Sequence, residues 1–367
     1  MICCIQCVFL SMIKKMSGKY YKSSVAISLY LALTVFILTR IGKYCPGCVE
    51  NIYASALYPK LAQALAWFSN YFRFSIDDVL YAGLIIFLVL NLLLVMFRRL
   101  RFKRFLGRMV VLVATVYWVF NVLWGFNYYR QDINARLNMK SAKADVNELM
   151  EAFEWLVHKI NASYTPIYAI NKSDVLEHVQ QGYQKQASFL KIDIAILRSR
   201  PKSISLSQLF GAATISGYYG PFFSEIHLNN YVLPLEYPQV LAHEMAHKLG
   251  VTSEAEANFY AWLVCSESDD KCLAYSANLY LLQYFVYECY KHEGFREVAK
   301  NIRYEVRHDF YKSHYHWMAL MNRNVELVAT KVNDAYLKSN NVEAGIDDYE
   351  GVVKHVMDYL LLEQESQ

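Results

Sequence analysis

The chain has 367 residues, 55% of them hydrophobic and 15% aromatic, with a mean hydropathy of +0.13. That is high for a soluble enzyme, and the excess sits in the first third, which argues against a wholly soluble protein. The net charge of +4 is smaller than the basic clusters beside the apolar segments, so it says nothing about an acidic substrate.

The extreme N-terminus lacks a basic n-region ahead of its apolar stretch and does not read as a signal peptide. Met12 and Met16 are alternative starts, which would leave Cys3, Cys4 and Cys7 dispensable. Three segments then reach the roughly 20 apolar residues needed to span a bilayer. They are residues 23–41, 79–97 and 109–128. Lys14, Lys15, Lys19 and Lys22 precede the first span, and Arg98, Arg99, Arg101, Lys103, Arg104 and Arg108 separate the second from the third. Both basic clusters are expected in the cytoplasm. This divides the chain into a cytoplasmic N-terminus (1–22), a membrane domain (23–128) and an extracytoplasmic domain (129–367). A basic hairpin wedged between two spans leaves little room for a duplex, so no nucleic-acid partner is expected. The pair in Cys45-Pro-Gly-Cys48 falls on the outer side, where a redox pair or a disulfide can form.

Beyond the spans, Val146, Leu149, Met150, Phe153, Leu156, Val157 and Ile160 recur with a helical period over residues 142–162, and 174–190 also reads as helix. Residues 204–227 are punctuated by glycine and β-prone, with strand candidates at 215–221 and 222–228. Proline and glycine there point to an edge strand, which an extended peptide could join by main-chain hydrogen bonds. Residues 274–290 and the stretch from Arg303 onward return to helix. Tyr275, Tyr280, Tyr284, Tyr287 and Tyr290 line either a groove or the core. Cys265 and Cys272 flank an acidic loop and could form a local disulfide in an oxidising compartment, whereas Cys289 should pack in a core. The fold class is therefore mainly α with a small β-sheet, three transmembrane helices preceding a single globular domain.

The most informative segment is Leu241-Ala-His-Glu-Met-Ala-His-Lys-Leu-Gly250. On a helix, His243 and His247 project from one face and can reach one metal ion. Glu244, rotated by roughly 100°, would sit beside that ion where a water binds. Lys248, one position past the second histidine, should turn away by about the same angle. A hydrolytic zinc site takes a third protein ligand and keeps its fourth position for water. Gly250 ends the helix and Ser253 caps the next, which begins Glu254-Ala-Glu-Ala-Asn258. Only one of Glu254 and Glu256 can face the metal, being roughly 200° apart. Glu254 is preferred because it shares a face with Asn258, whose amide could bond a ligand histidine; Glu256 is the alternative.

His243-Glu-x-x-His247 followed by Glu254-x-x-Ala-Asn258 resembles the gluzincin pattern of the HtpX and CAAX-prenyl-protease families and of ImmA/IrrE-type peptidases. Almost the whole chain is also similar to a family of bacterial membrane proteins known as domain of unknown function 3810. The matching pieces are Trp124-Gly-Phe-Asn-Tyr-Tyr-Arg130, Pro201-Lys202, the run from Gly217 to His227, the metal motif, and Tyr336-Leu-Lys338 ahead of Gly345-Ile-Asp-Asp-Tyr349. The resemblance implies a gluzincin-like zinc metallopeptidase domain, with a Zn2+ cofactor on His243, His247 and Glu254. The gap from His247 to Glu254 is shorter than in most gluzincins, so a tight turn through Gly250 must close the site.

With zinc bound, Glu244 would act as general base in hydrolysis of a peptide or protein substrate. Tyr218, Tyr219, His308, His314 and His316 are candidates to steady the oxyanion. The competing reading is a membrane sensor or scaffold whose zinc site is structural or binds peptide without cleaving it. A transporter fits poorly, since the spans contain few charges that could form an ion path.

Overall fold

The computed structural model describes residues 25–141, 145–342, 345 and 351–366. The lysines ahead of the first span, Cys3, Cys4, Cys7 and the segment 346–349 lie outside the described residues.

Three helices, Val25–Tyr44, Ile76–Met96 and Phe102–Leu123, are long and apolar enough to cross a membrane, and they expose most of their aliphatic surface. The second starts three residues before its expected bound because Ser75 caps it, its Oγ accepting from Asp78 N at 2.8 Å. Asp77 and Asp78 in that first turn suit the positive end of the helix dipole. The third also starts early, at Phe102, and stops at Leu123. Its basic first turns are helical although hydropathy excludes them, and at the far end Trp124 leaves helical geometry and Gly125–Tyr129 tightens into a 3-10 turn. The connection between these two spans is therefore short, with Arg98 in the left-handed region at φ 55°. Asn91 accepts from Arg108 at 2.7 Å, a polar tie between the two helices.

The segment joining the first two spans lies inside the boundaries 23–128, yet it packs into the globular domain. Cys45 and Cys48 are disulfide-bonded. A wide-turned helix, Val49–Leu57, and the helix Tyr58–Ser69 follow, and Tyr53, Tyr58 and Ala62 join the buried core. The expected amphipathic helices form as Val146–Ser163, capped by Asp145, and Lys172–Leu190, capped by Asn171. They bury Phe153, Leu156, Val157, Ile160, Val175, Val179 and Tyr183 around three central helices, Tyr237–Lys248, Glu254–Ser266 and Lys271–Cys289. Apolar burial of this kind contributes about 25 cal/mol per Å² and is what holds the central trio in place.

A three-stranded sheet lies against the first central helix. Strands β1 (Lys202–Ser203), β2 (Gly217–Gly220) and β3 (Glu225–Leu228) are ordered β1-β3-β2, with β1 parallel and β2 antiparallel to β3. The candidate at 215–221 is thus an edge strand, as its glycines and proline require, and 222–228 supplies the centre. The stretch 204–227 is not β throughout, however: Ser207–Ala212 is a helix. Ser207 Oγ donates to Ile204 O at 2.7 Å, and Asn229 Nδ2 donates to Ser207 O at 3.0 Å, so side-chain bonds turn the backbone there.

The tyrosines of Lys271–Cys289 divide along the helix: Tyr275 is core, Tyr280 and Tyr284 are half-buried, and Tyr287 is exposed, as is Tyr290 just past its end. Cys265 and Cys272 are not bridged. Cys265 is fully buried and faces the Pro238 carbonyl, whereas Cys272 is half-buried on the next helix. Cys289 is buried, as expected.

Candidate metal centre

The motif helix Tyr237–Lys248 buries every side chain except His243, which is half-buried. At its end Gly250 adopts φ +83°, and Val251 N returns to Ala246 O at 3.2 Å, closing the helix with a left-handed turn. A side chain at 250 would approach Asn127 Oδ1 to 3.0 Å and Tyr58 Cε1 to 3.1 Å, so glycine is demanded twice over. Three residues later Ser253 caps the next helix, its Oγ accepting from Glu256 N. Glu254 therefore enters at the first helical position, directly opposite the histidines.

His243 Nε2 and His247 Nε2 lie 3.1 Å apart, and Glu254 Oε2 lies 3.1 Å from the first and 3.3 Å from the second. Ligand atoms about 2.0–2.1 Å from a tetrahedral ion stand roughly 3.3 Å from one another, so the three atoms outline one face of such a site. The donor set of two imidazoles and one carboxylate also matches a catalytic zinc centre. His247 Nδ1 lies 2.8 Å from Val251 O, a bond that places an N–H on Nδ1 and aims Nε2 at the cluster. Glu256, the alternative third ligand, is drawn away by an ion pair with the buried Arg136. Asn258 is not bonded to a histidine; its Nδ2 donates to Tyr284 at 3.4 Å.

Charge is tightly coupled here. Burial alone would raise the Glu254 pKa, but the adjacent histidines hold it well below the ordinary carboxylate range. Burial lowers the His247 pKa, and the Glu254 carboxylate more than reverses this, bringing it to about 9. Glu244 is buried, and burial, aided by Glu254 and opposed by both histidines, pushes its carboxyl up to about 7. Its Oε1 lies against β2, where a Cβ on Gly217 would come within 2.7 Å, and its Oε2 has no hydrogen-bond partner among the described residues. A carboxyl group of that pKa, beside an edge strand and a three-ligand cluster, can exchange protons near neutrality.

A ring of donors positions the end of the motif helix. Trp124 Nε1 donates to His247 O at 3.1 Å, Tyr58 Oη to Lys248 O at 2.7 Å, and Arg130 Nη1 to Gly250 O at 3.1 Å. Arg130 is itself held by Glu50 at 2.6 and 2.9 Å. Lys248 does turn from the cluster: fully buried, it donates to Ser199 Oγ at 2.6 Å and Ser224 O at 2.7 Å, and burial brings its pKa down to about 7. Tyr128 donates to Tyr336 Oη at 3.1 Å; desolvation of the Tyr336 phenol, opposed by that bond and aided by the Glu254 charge, pushes it up to about 12 although the residue is 38% exposed.

The residues considered for the oxyanion are mostly engaged elsewhere. Tyr218 donates to Asp78, Tyr219 to Ser224 Oγ at 3.2 Å, and His316 pairs with Tyr231 O at 2.7 Å, while His308 and His314 are exposed. A second group, Asp77, Glu225 and His227, is fully buried beneath the sheet, with Lys202 paired to Glu225. Sequence spacing gives no sign of it, because Asp77 comes from the second span and Glu225 and His227 from β3, 148 residues and more along the chain.

No curated protein and no solved structure matches the chain. Residues 53–357 match the model of a family described as "Protein of unknown function (DUF3810)", a stretch that includes the second and third spans, the sheet, both histidines and Glu254. The chain, by that match over most of its length, is a member of this family.

Proposed function

We propose that the protein is a membrane-anchored zinc metallopeptidase, with His243, His247 and Glu254 as ligands and Glu244 as general base. The observation that carries this reading is the spacing of the three ligand atoms at 3.1, 3.1 and 3.3 Å, with the buried Glu244 carboxyl, one residue from His243, in electrostatic contact with all three groups. A zinc ion there would supply Lewis acidity, polarising a substrate carbonyl and acidifying a water. The protein's own part follows from its electrostatics. Glu244, buried and interacting with His243, His247 and Glu254, would take a proton from the attacking water and pass it to the leaving amine. Strand β2 offers an edge beside Glu244 on which an extended peptide can be aligned.

The domain sits at the Ile76 and Leu123 ends of two spans, and the basic hairpin at their other ends. If the hairpin stays cytoplasmic, the metal group faces the extracytoplasmic side of a bacterial inner membrane. Contact between Trp124 and His247 favours a substrate held close to the membrane surface.

Glu244→Gln tests the reading. Purified full-length variant should retain zinc at the wild-type ratio yet lose hydrolysis of a fluorogenic peptide mixture. Equal turnover by variant and wild type would overturn the peptidase role, and zinc-loaded wild type without turnover would favour the sensor or scaffold.

A further inference from the structure

The helix Arg323–Ser339 is built inside out for a protein surrounded by water. Its exposed face carries Leu327 (45% exposed), Val328 (64%), Val332 (64%), Ala335 and Tyr336, whereas Glu326, Thr330, Asn333 and Asp334 are half-buried on the opposite side. Three of the inward polar groups are bonded within the helix: Thr330 donates to Glu326 at 2.9 Å, and Asp334 accepts from Lys338 at 2.9 Å. A surface helix in water turns its aliphatic stripe toward the core. Here only Leu337 is buried.

Where the helix lies supplies the reason. Near its C-terminal end, Tyr336 packs against Phe120 with ring centroids 6.2 Å apart and bonds Tyr128. Phe120 belongs to the last turn of the third span. At the other end Asn322 N donates to Ala212 O at 2.9 Å, anchoring the helix to the Ser207–Ala212 turn. That turn is tied to the second span, since Ser205 N donates to Asp78 Oδ2 at 3.0 Å in the span's first turn. Both ends of a helix about 25 Å long are thus moored at the same ends of two adjacent spans. The turn adds Leu206 and Leu209, each more than half exposed, to the same region.

We propose that Arg323–Ser339, together with Leu206 and Leu209, lies in the plane of the membrane on the domain side, its valine face sunk to the boundary of headgroups and acyl chains. The occupant of the exposed face is lipid, because both moorings hold that face at the ends of two spans whose own aliphatic surfaces are exposed, Tyr336 covering the half-buried Phe120 at the join. Its charges agree: Arg323, Lys331 and Lys338 are exposed at the flank of the apolar stripe, and the two acids of the helix lie on its inner side. Basic side chains at that level meet the phosphates of anionic lipids. The inference is independent of the metal chemistry and rests only on the spans crossing a bilayer.

The test uses the full chain with Val332→Cys or Val328→Cys, labelled with a nitrobenzoxadiazole dye and corrected for label on the unsubstituted protein. The probe is placed in vesicles of phosphatidylcholine and phosphatidylglycerol, with and without brominated acyl chains. The expected result is a blue-shifted emission quenched by brominated lipid at least about twofold more than a dye at the exposed Asn301. A Val332 dye as water-exposed as the one at Asn301 would overturn the proposal. So would a dye shielded without bromine quenching, with shielding that weakens on dilution, since that marks a second copy or a protein partner on this face. Val328→Asn/Val332→Asn should keep the domain's melting transition while lowering the depth of a dye at Leu327→Cys; an unchanged depth would also count against it.

Discussion

Trp124 donates its indole N–H to the main-chain carbonyl of His247 at 3.1 Å, so the residue that ends the third span also caps the helix carrying both histidines. The last carbonyls of a helix have no partner within it, and here a span end, Tyr58 and Arg130 supply them. Removing such a donor leaves a buried acceptor without a partner. Trp124→Phe, which keeps most of the ring packing against Tyr128 and Tyr219, should cost about 1–3 kcal/mol of domain stability. Urea unfolding in detergent, followed by circular dichroism, measures this; an unchanged midpoint would show that the bond is not used.

How much of this was legible in the sequence follows from the range of each interaction. His243, Glu244, His247, Gly250, Ser253 and Glu254 are arranged by helix geometry and local caps within a dozen residues, so periodicity and spacing were enough to bring them together. Tyr58, Trp124 and Arg130 act over 119 to 190 positions of sequence, and nothing local marks a tyrosine that will end beneath a distant carbonyl. Trp124 and Arg130 stood out only through family resemblance, without a role. The Ser207–Ala212 helix escaped for the opposite reason: β-prone residues were overridden by the bonds of Ser207 and Asn229. Asn258 looked like a support for a ligand histidine because it shares a face with Glu254, but its amide turned to Tyr284 instead.

Gly250→Ala should separate backbone strain from crowding. Alanine in the left-handed region costs about 1–2 kcal/mol. Gly294, at φ +89°, bears the same backbone penalty but has open space, the nearest atom to a new Cβ being Met150 Cε at 3.9 Å. Gly250→Ala is expected to lower the melting temperature more than Gly294→Ala and, because it misplaces Glu254, to reduce zinc retention. Equal effects of the two substitutions would mean that the contacts with Asn127 and Tyr58 relax freely.

The two glutamates should fail in different ways. Glu254→Ala removes an atom 3.1 and 3.3 Å from the histidine nitrogens, so zinc per chain, measured by plasma emission after dialysis, should fall sharply. Glu256→Ala should leave the zinc ratio near wild type while destabilising the fold by about 3–5 kcal/mol, since Arg136 is buried and loses its counter-ion. Tyr260 and the Gln131 carbonyl still accept from Arg136, which softens the loss without cancelling it. Zinc loss in Glu256→Ala alone would exchange the roles of the two residues.

Acid stability should report on Glu225, which joins the sheet to the second span. Its carboxylate accepts from Ser75 Oγ at 3.1 Å, from the main-chain N–H of Ile76 at 3.0 Å and of Asp77 at 3.1 Å, and pairs with Lys202; His227, Asp77 and Lys248 are the other titratable groups facing it. Burial would raise its pKa, but the bonds from His227, Lys202 and Asp77 N prevail and bring it down to about 2 from an ordinary value of 4.5. A carboxyl depressed on folding stabilises the native state fully above the unfolded value and loses that contribution as pH falls through the folded one. Stability should therefore decline from about pH 4.5 toward pH 2. Glu225→Gln should be less stable than wild type at neutral pH, because Lys202 is left buried without its counter-ion, and should show a shallower decline over that window. Urea midpoints measured across the window decide it: parallel acid limbs in the two proteins would mean that another carboxylate governs the transition.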